Sequence, residues 1–115
     1  TCPMSNIFIH RELPNLPLLA ENDLNICIGT DSLSSNTHFS IVDEMKTIQN
    51  AFPQISMAQM IKWATINGAK AIGCDSQYGT IEVGKAPGLV FIDGVVEDQT
   101  GELRLTEQSK SVRII

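Results

Sequence analysis

Residues 38–52, HFSIVDEMKTIQNAF, carry Phe39, Val42, Met45, Ile48 and Phe52 at three- and four-residue steps, the spacing of one apolar helix face. Asp43 and Glu44 fall in its early turns, where the helix dipole favours acids, and Pro53 stops it. Ser56-Met57-Ala58-Gln59 opens a second helix as a capping box: Ser56 caps the Gln59 amide and the Gln59 side chain reaches back. Met60, Trp63, Ala64, Asn67 and Ala71 line one face of that helix, and Gly73 ends it as a C′ residue. Gly68 inside it costs ~1 kcal/mol against alanine, which close helix packing would explain. Upstream, Pro17 sits at the first turn of a short helix covering Leu18 to Glu21. LNICIG, residues 24–29, is an apolar run broken by Gly29; it reads as a strand buried on both faces, as in a parallel sheet. TCPMSN reads as loop, because Pro3 fixes its own φ and biases Cys2 towards extended geometry.

After Gly73 the texture changes. Gly79, Gly84, Gly88, Gly94 and Gly101 punctuate short apolar segments such as Leu89–Ile92 and Val112–Ile115, a pattern of short strands and turns. The order strand, helix, helix, β-rich tail predicts an α/β chain: the end of a βα repeat in residues 1–73, followed by a separate β element in 74–115.

Composition narrows the class. The chain has 115 residues, enough for one domain or part of one, with 43% hydrophobic and 18% charged residues, an ordinary globular balance. The net charge is −5, and the Lys and Arg are scattered without a basic stripe, which excludes nucleic acid as an expected partner. No apolar run is long enough to span a bilayer, so no membrane is expected either. Cys2, Cys27 and Cys74 are odd in number and show no CxxC pairing; free, buried thiols in a reducing cytoplasm are the expectation. The chain opens on Thr1-Cys2-Pro3 without an initiator Met or a signal-peptide pattern, which leads us to expect a fragment whose upstream part is missing.

The candidate chemistry centres on Asp31, which ends the apolar strand. An unpaired carboxylate there is costly, so it is a cap, a salt-bridge member or a metal ligand. Carboxyl ends of strands carry the functional residues in parallel α/β folds, and a carboxylate can bind a metal or take a proton from water that a metal has acidified. On spacing alone a backbone cap is the better reading. His10 and His38 show no HxH or HExxH pattern and read as structural or solvated. Ser32, Ser34 and Ser35 lack a GxSxG context and a base, and Cys2 and Cys27 lack local activation.

CPMSN at 2–6, GTDSLSSN at 29–36, VDEMK at 42–46, ATINGAKAIG at 64–73 and GTIEVGK at 79–85 occur in that order. Together they resemble the C-terminal part of the amidohydrolase superfamily, in the branch of the cytosine, guanine and S-adenosylhomocysteine/aminofutalosine deaminases and their chlorohydrolase-like relatives. The resemblance implies a metal-dependent (β/α)8 TIM barrel joined to a small β-sandwich built from both chain termini. Residues 1–73 would then be the end of the barrel and 74–115 the C-terminal part of the sandwich. It makes Asp31 the aspartate that ends the eighth strand, a metal ligand and the proton shuttle between water and substrate. Ser5 and Asn6, in the loop after the seventh strand, and Ser32, Ser35 and Asn36, at the same mouth, become substrate or supporting contacts. Asn67 and Gly68 fall in a structural helix. Where family members often read GKxADLV, this chain has Lys85-Ala86-Pro87-Gly88-Leu89-Val90; the missing acid is not a metal ligand.

The function so implied is metal-dependent hydrolysis of a non-peptide C–N bond, deaminating an amino-substituted heterocycle or a nucleoside-like compound, with zinc first and iron second as the metal. Hydrolysis of an imidazolone-type cyclic amide is the alternative within enzymes, and a non-catalytic structural or interaction domain with Asp31 as a plain cap is the alternative outside them. The HxH pair and later histidine ligands of the family are absent from these 115 residues. The chain alone is therefore expected to be inactive and to hold little metal. Its expected partners are a small-molecule substrate, the missing N-terminal part of the same protein, and further copies of itself through surfaces the rest of a barrel would cover.

Overall fold

The computed structural model describes all 115 residues. Five helices precede a two-stranded antiparallel sheet: α1 (Pro3–His10), α2 (Leu16–Glu21), α3 (Ile41–Ala51), α4 (Met57–Ala64), α5 (Ile66–Ala71), β1 (Val90–Glu97) and β2 (Leu103–Arg113). No helix is long and apolar enough to cross a membrane.

The sequence reading missed α1. Pro3 stands at its first position, where the missing N–H costs nothing, and Cys2 is extended as expected (φ −124°) but acts as the N-cap residue, its carbonyl accepting from Asn6 N–H at 2.8 Å. Helix α2 starts at Leu16, earlier than expected, because the Asn15 side chain caps Leu18 N–H. Helix α3 starts after Ser40, whose hydroxyl accepts from Asp43 N–H. Val42, Met45 and Ile48 are buried as their spacing predicts, but Phe39 precedes the cap and is 62% exposed.

Ser56 caps Gln59 N–H at 3.1 Å, while the Gln59 side chain does not reach back. The single helix expected to run to Gly73 is two. Thr65 (φ −126°, ψ −93°) leaves the helical region between α4 and α5, and its hydroxyl donates to the Ile61 carbonyl. Gly73 (φ +72°) closes α5 in a Schellman motif, with Cys74 N–H donating to Ala69 O and Gly73 N–H to Lys70 O. Met60 and Trp63 are buried, but Ala71 is exposed, and a Cβ on Gly68 would meet nothing; no close packing explains that glycine.

Residues 24–29 form no strand ladder: Ile26 N–H turns back to Leu24 O at 2.9 Å, and only Ile26 is buried, so the expectation of a strand buried on both faces fails within this chain. A strand needs neighbours, and here the backbone partners are few. The Thr1 amino group donates to Cys27 O at 2.7 Å and Gly29 N–H donates to Thr1 O at 2.9 Å. Those two bonds flank Ile28 as one rung of a parallel pairing does. On the other side Ile28 N–H donates to Trp63 O, and the Asn67 side chain donates to Ile26 O, tying the segment to α4 and α5 and giving Asn67 its structural role.

The tail forms a longer hairpin than expected, and residues 80–89 contain no regular strand. Lys85 holds that loop by donating to Asp75 O and Thr80 Oγ1, both at 2.7 Å. Gly88, where the family motif has an acid, has φ +67° with the Ile115 carbonyl 3.3 Å from where a Cβ would stand. Asp98 shapes the turn, accepting from Thr100 N–H, Thr100 Oγ1, Glu102 N–H and Arg104 Nε; those donors, Thr100 first, hold its carboxyl well below the usual range. Between the pairs Asp93↔Lys110 and Val95↔Leu105 the register shifts, and the Thr106 and Ser109 hydroxyls both donate to Gly94 O.

The core joins helices to hairpin. Leu16, Val42, Met45, Ile48, Met60 and Trp63 pack in one cluster with Leu105 of β2. Gln49 of α3 fastens the contact: its amide donates to Leu105 O and accepts from Leu105 N–H, each at 2.9 Å. The cysteines are free, as expected, but only half-buried.

Candidate functional site

Asp31 lies where the apolar segment gives way to the loop before α3. It is one of three non-glycine residues with positive φ (57°), a region that Asp tolerates better than most residues. Its side chain stays exposed yet is held at both oxygens. Ser5 Oγ donates to Oδ2 at 2.8 Å and Ser32 N–H donates to Oδ1 at 2.8 Å. These donors, Ser5 first and Ser32 next, hold the carboxyl below its ordinary value against a smaller effect of burial. Each oxygen accepts one hydrogen bond and keeps a further lone pair, so the group is fixed in place, ionised and open to solvent.

Ser5, in the first turn of α1, is buried, and its Oγ also stands 2.8 Å from Ser35 Oγ. With one hydroxyl proton, Ser5 gives it to the ionised acceptor in preference to the neutral one. Ser35 is buried as well, and its N–H donates to Ser32 O at 3.1 Å. Thus Ser5, Asp31 and Ser35 converge. Ser32 is exposed beside them, its hydroxyl 2.6 Å from Ser34 Oγ. Asn6 turns away from Asp31: its Oδ1 accepts from Thr1 Oγ1 at 3.2 Å. Asn36 is buried and donates through Nδ2 to Thr30 O at 2.8 Å and to Glu44 Oε1 at 2.6 Å. His10 and His38 are both exposed, and His38 Nδ1 lies 2.9 Å from Thr37 Oγ1.

Glu44 is the residue that sequence reasoning placed only as a dipole partner. It is fully buried, and its Oε2 accepts from Met4 N–H at 2.7 Å. Burial pushes its carboxyl above the ordinary range, while the Met4 N–H and the Asn36 amide pull it down. One signal was available: Glu44 stands three after Ile41 and four before Ile48, on the apolar face of α3 rather than its polar one.

No three His, Cys, Asp or Glu side chains converge in a way that could hold a metal ion. A catalytic zinc takes three protein ligands, so these residues do not make a complete metal centre by themselves. Asp31 keeps free lone pairs on both carboxylate oxygens.

The sequence pattern of the amidohydrolase family matches residues 1–114. The chain belongs to this family. As an amidohydrolase chain, it is 39% identical over 98 residues to the 5-methylthioadenosine/S-adenosylhomocysteine deaminase of Halalkalibacterium halodurans, an alignment covering 79% of this chain and 22% of that protein. It is 31% identical over 98 residues to the 5'-deoxyadenosine deaminase of Methanobrevibacter smithii, covering 79% of this chain and 23% of that one. Among solved structures it superposes on E. coli guanine deaminase with a TM-score of 0.58 and 25% identity, covering 66% of this chain and 19% of the other. This amidohydrolase chain therefore spans about a fifth of the length of the relatives it matches.

Proposed function

We propose that these residues form the C-terminal part of a metal-dependent deaminase of nucleoside-like compounds. Residues 1–73 would close a (β/α)8 barrel and 74–115 contribute to a β-sandwich beside it. Relatives named as adenosine-type and guanine deaminases support the reaction class, and the rung between Thr1 and Ile28 is what a parallel barrel neighbour would make. The observation that carries the reading is Asp31: an exposed carboxylate in left-handed backbone at the end of an apolar segment, ionised and fixed by Ser5 and Ser32.

In this reading Asp31 is one metal ligand, and the others come from residues outside these 115. The metal, zinc before iron, supplies an activated water when bound. Asp31 takes a proton from the attacking water and returns it to the leaving amine nitrogen, a task suited to a fixed carboxylate with a spare lone pair. Ser5 Oγ and Ser32 N–H hold that carboxylate, Ser35 packs its hydroxyl against Ser5, and the exposed Ser32 hydroxyl presents a polar group to a substrate at the mouth.

The test is Asp31→Asn in the full-length protein beside wild type, with metal per polypeptide measured together with ammonia release from S-adenosylhomocysteine and 5'-deoxyadenosine. We expect metal content to fall and turnover to drop by about 10²-fold or more. Unchanged metal and turnover would overturn the role.

A further inference from the structure

Glu44 is the only charged residue in the buried set, and a buried carboxylate is retained at a cost unless its partners need it. Its partners here belong to the Asp31 site. Met4 is the second residue of α1, a helix whose N-cap residue offers no side-chain bond, so its first-turn N–H needs an outside acceptor. Glu44 Oε2 is that acceptor. The next residue, Ser5, donates to Asp31 Oδ2. Glu44 Oε1 takes one amide proton of Asn36, and the other goes to the Thr30 carbonyl, in the peptide that leads into Asp31. Starting from Glu44, one path runs through Met4 and Ser5 to the Asp31 carboxylate, and the other through Asn36 to the Asp31 backbone.

We propose that Glu44 is a positioning residue for Asp31: one carboxylate oxygen sets the helix turn that carries Ser5, and the other sets Asn36 and, through it, the peptide before Asp31. The proposal rests on the reading of Asp31 given above. Both arms require an acceptor, so glutamine cannot substitute. Its single oxygen serves one arm and its NH2 group faces a donor on the other. An apolar residue would leave both donors unsatisfied.

The experiment uses the full-length protein as wild type, Asp31→Asn, Glu44→Gln, Asn36→Ala and Gln49→Ala. Gln49→Ala is the control, because it weakens the same helix through its bond to Leu105 without touching the Asp31 network. Three quantities are read: kcat and KM for S-adenosylhomocysteine deamination, metal retained after dialysis against a chelator, and hydrogen exchange of the Ser32 amide, which bonds Asp31 directly. Glu44→Gln is expected to lower kcat and metal retention by about 10- to 100-fold, with KM nearly unchanged and Ser32 exchange accelerated. Asn36→Ala, which cuts one arm, is expected to move all three in the same direction. Gln49→Ala is expected to match wild type in kcat and retention. An active wild type beside an inactive Asp31→Asn, with wild-type kcat and Ser32 exchange in Asn36→Ala or Glu44→Gln, overturns this inference alone. So does an equal loss in Gln49→Ala. A wild type with neither metal nor turnover overturns the reading of Asp31, and this inference with it.

Discussion

Single positions in this chain differ sharply in what they tolerate, and two glycines show it. Gly79 has φ +92°, and a Cβ there would stand 2.8 Å from Ile66 Cα and 3.0 Å from Ala69 Cβ. Gly79→Ala is expected to lower stability by about 2 kcal/mol or more, from backbone strain and overpacking together. Gly68→Ala, with open space at the site, is expected to raise it by about 0.5–1 kcal/mol. Urea midpoints of the two variants should therefore move in opposite directions; movement in the same direction refutes the assignment. Glu44 carries a pH signature of its own. Its carboxyl titrates above the ordinary glutamate value of 4.5 because burial dominates, so the folded state holds the proton where the unfolded state has lost it. Its contribution is most favourable below 4.5 and declines as pH rises from there to the folded-state pKa. The stability of wild type relative to Glu44→Gln should decline over that window, as urea titrations at stepped pH would read. A gap independent of pH would mean that Glu44 is not titrating in the fold.

Among the elements, α3 and its bond to β2 carry the clearest prediction. Gln49→Ala removes both partners of the Leu105 backbone and is expected to cost about 1–2 kcal/mol, seen as a lower denaturation midpoint with helix content retained. The elements also show what was legible. Helix α3, the Ser56 cap and the Gly73 stop follow from bonds within a few residues, which periodicity and capping chemistry encode. Helix α1 was illegible because the acceptor for its Met4 N–H is Glu44, forty residues away. The break at Thr65 has no proline or glycine to announce it. Segment 24–29 was read as a strand from its apolar run, but strand identity depends on neighbours, and Thr1 supplies one rung. At the candidate site, Asp31 was visible from the motif around it, whereas the commitments of Ser5 and Asn36 depend on side chains brought together from α1 and α3.

Across the molecule as a whole, several large apolar side chains lie exposed. Phe8 and Ile9 of α1, Ile81 and Val83 of the loop, and Phe91 and Val112 of the hairpin are each more than half exposed. Phe91 and Val112 are register partners and form one exposed apolar pair, and apolar surface gathered in this way marks a surface made for contact. The 115-residue chain alone is expected to associate at micromolar concentration in light scattering, and a monodisperse monomer would refute that expectation. How copies meet is constrained by Gln49. Leu105 pairs with Val95 on one side and spends its N–H and C=O on the Gln49 amide on the other. The side chain stands where the peptide group of a third strand would lie. A row of unpaired backbone groups is the template along which sheets polymerise edge to edge, and here that row is interrupted at a buried position. Gln49 thereby withholds from any further strand on β2 the Leu105 N–H and C=O that such a strand would pair with.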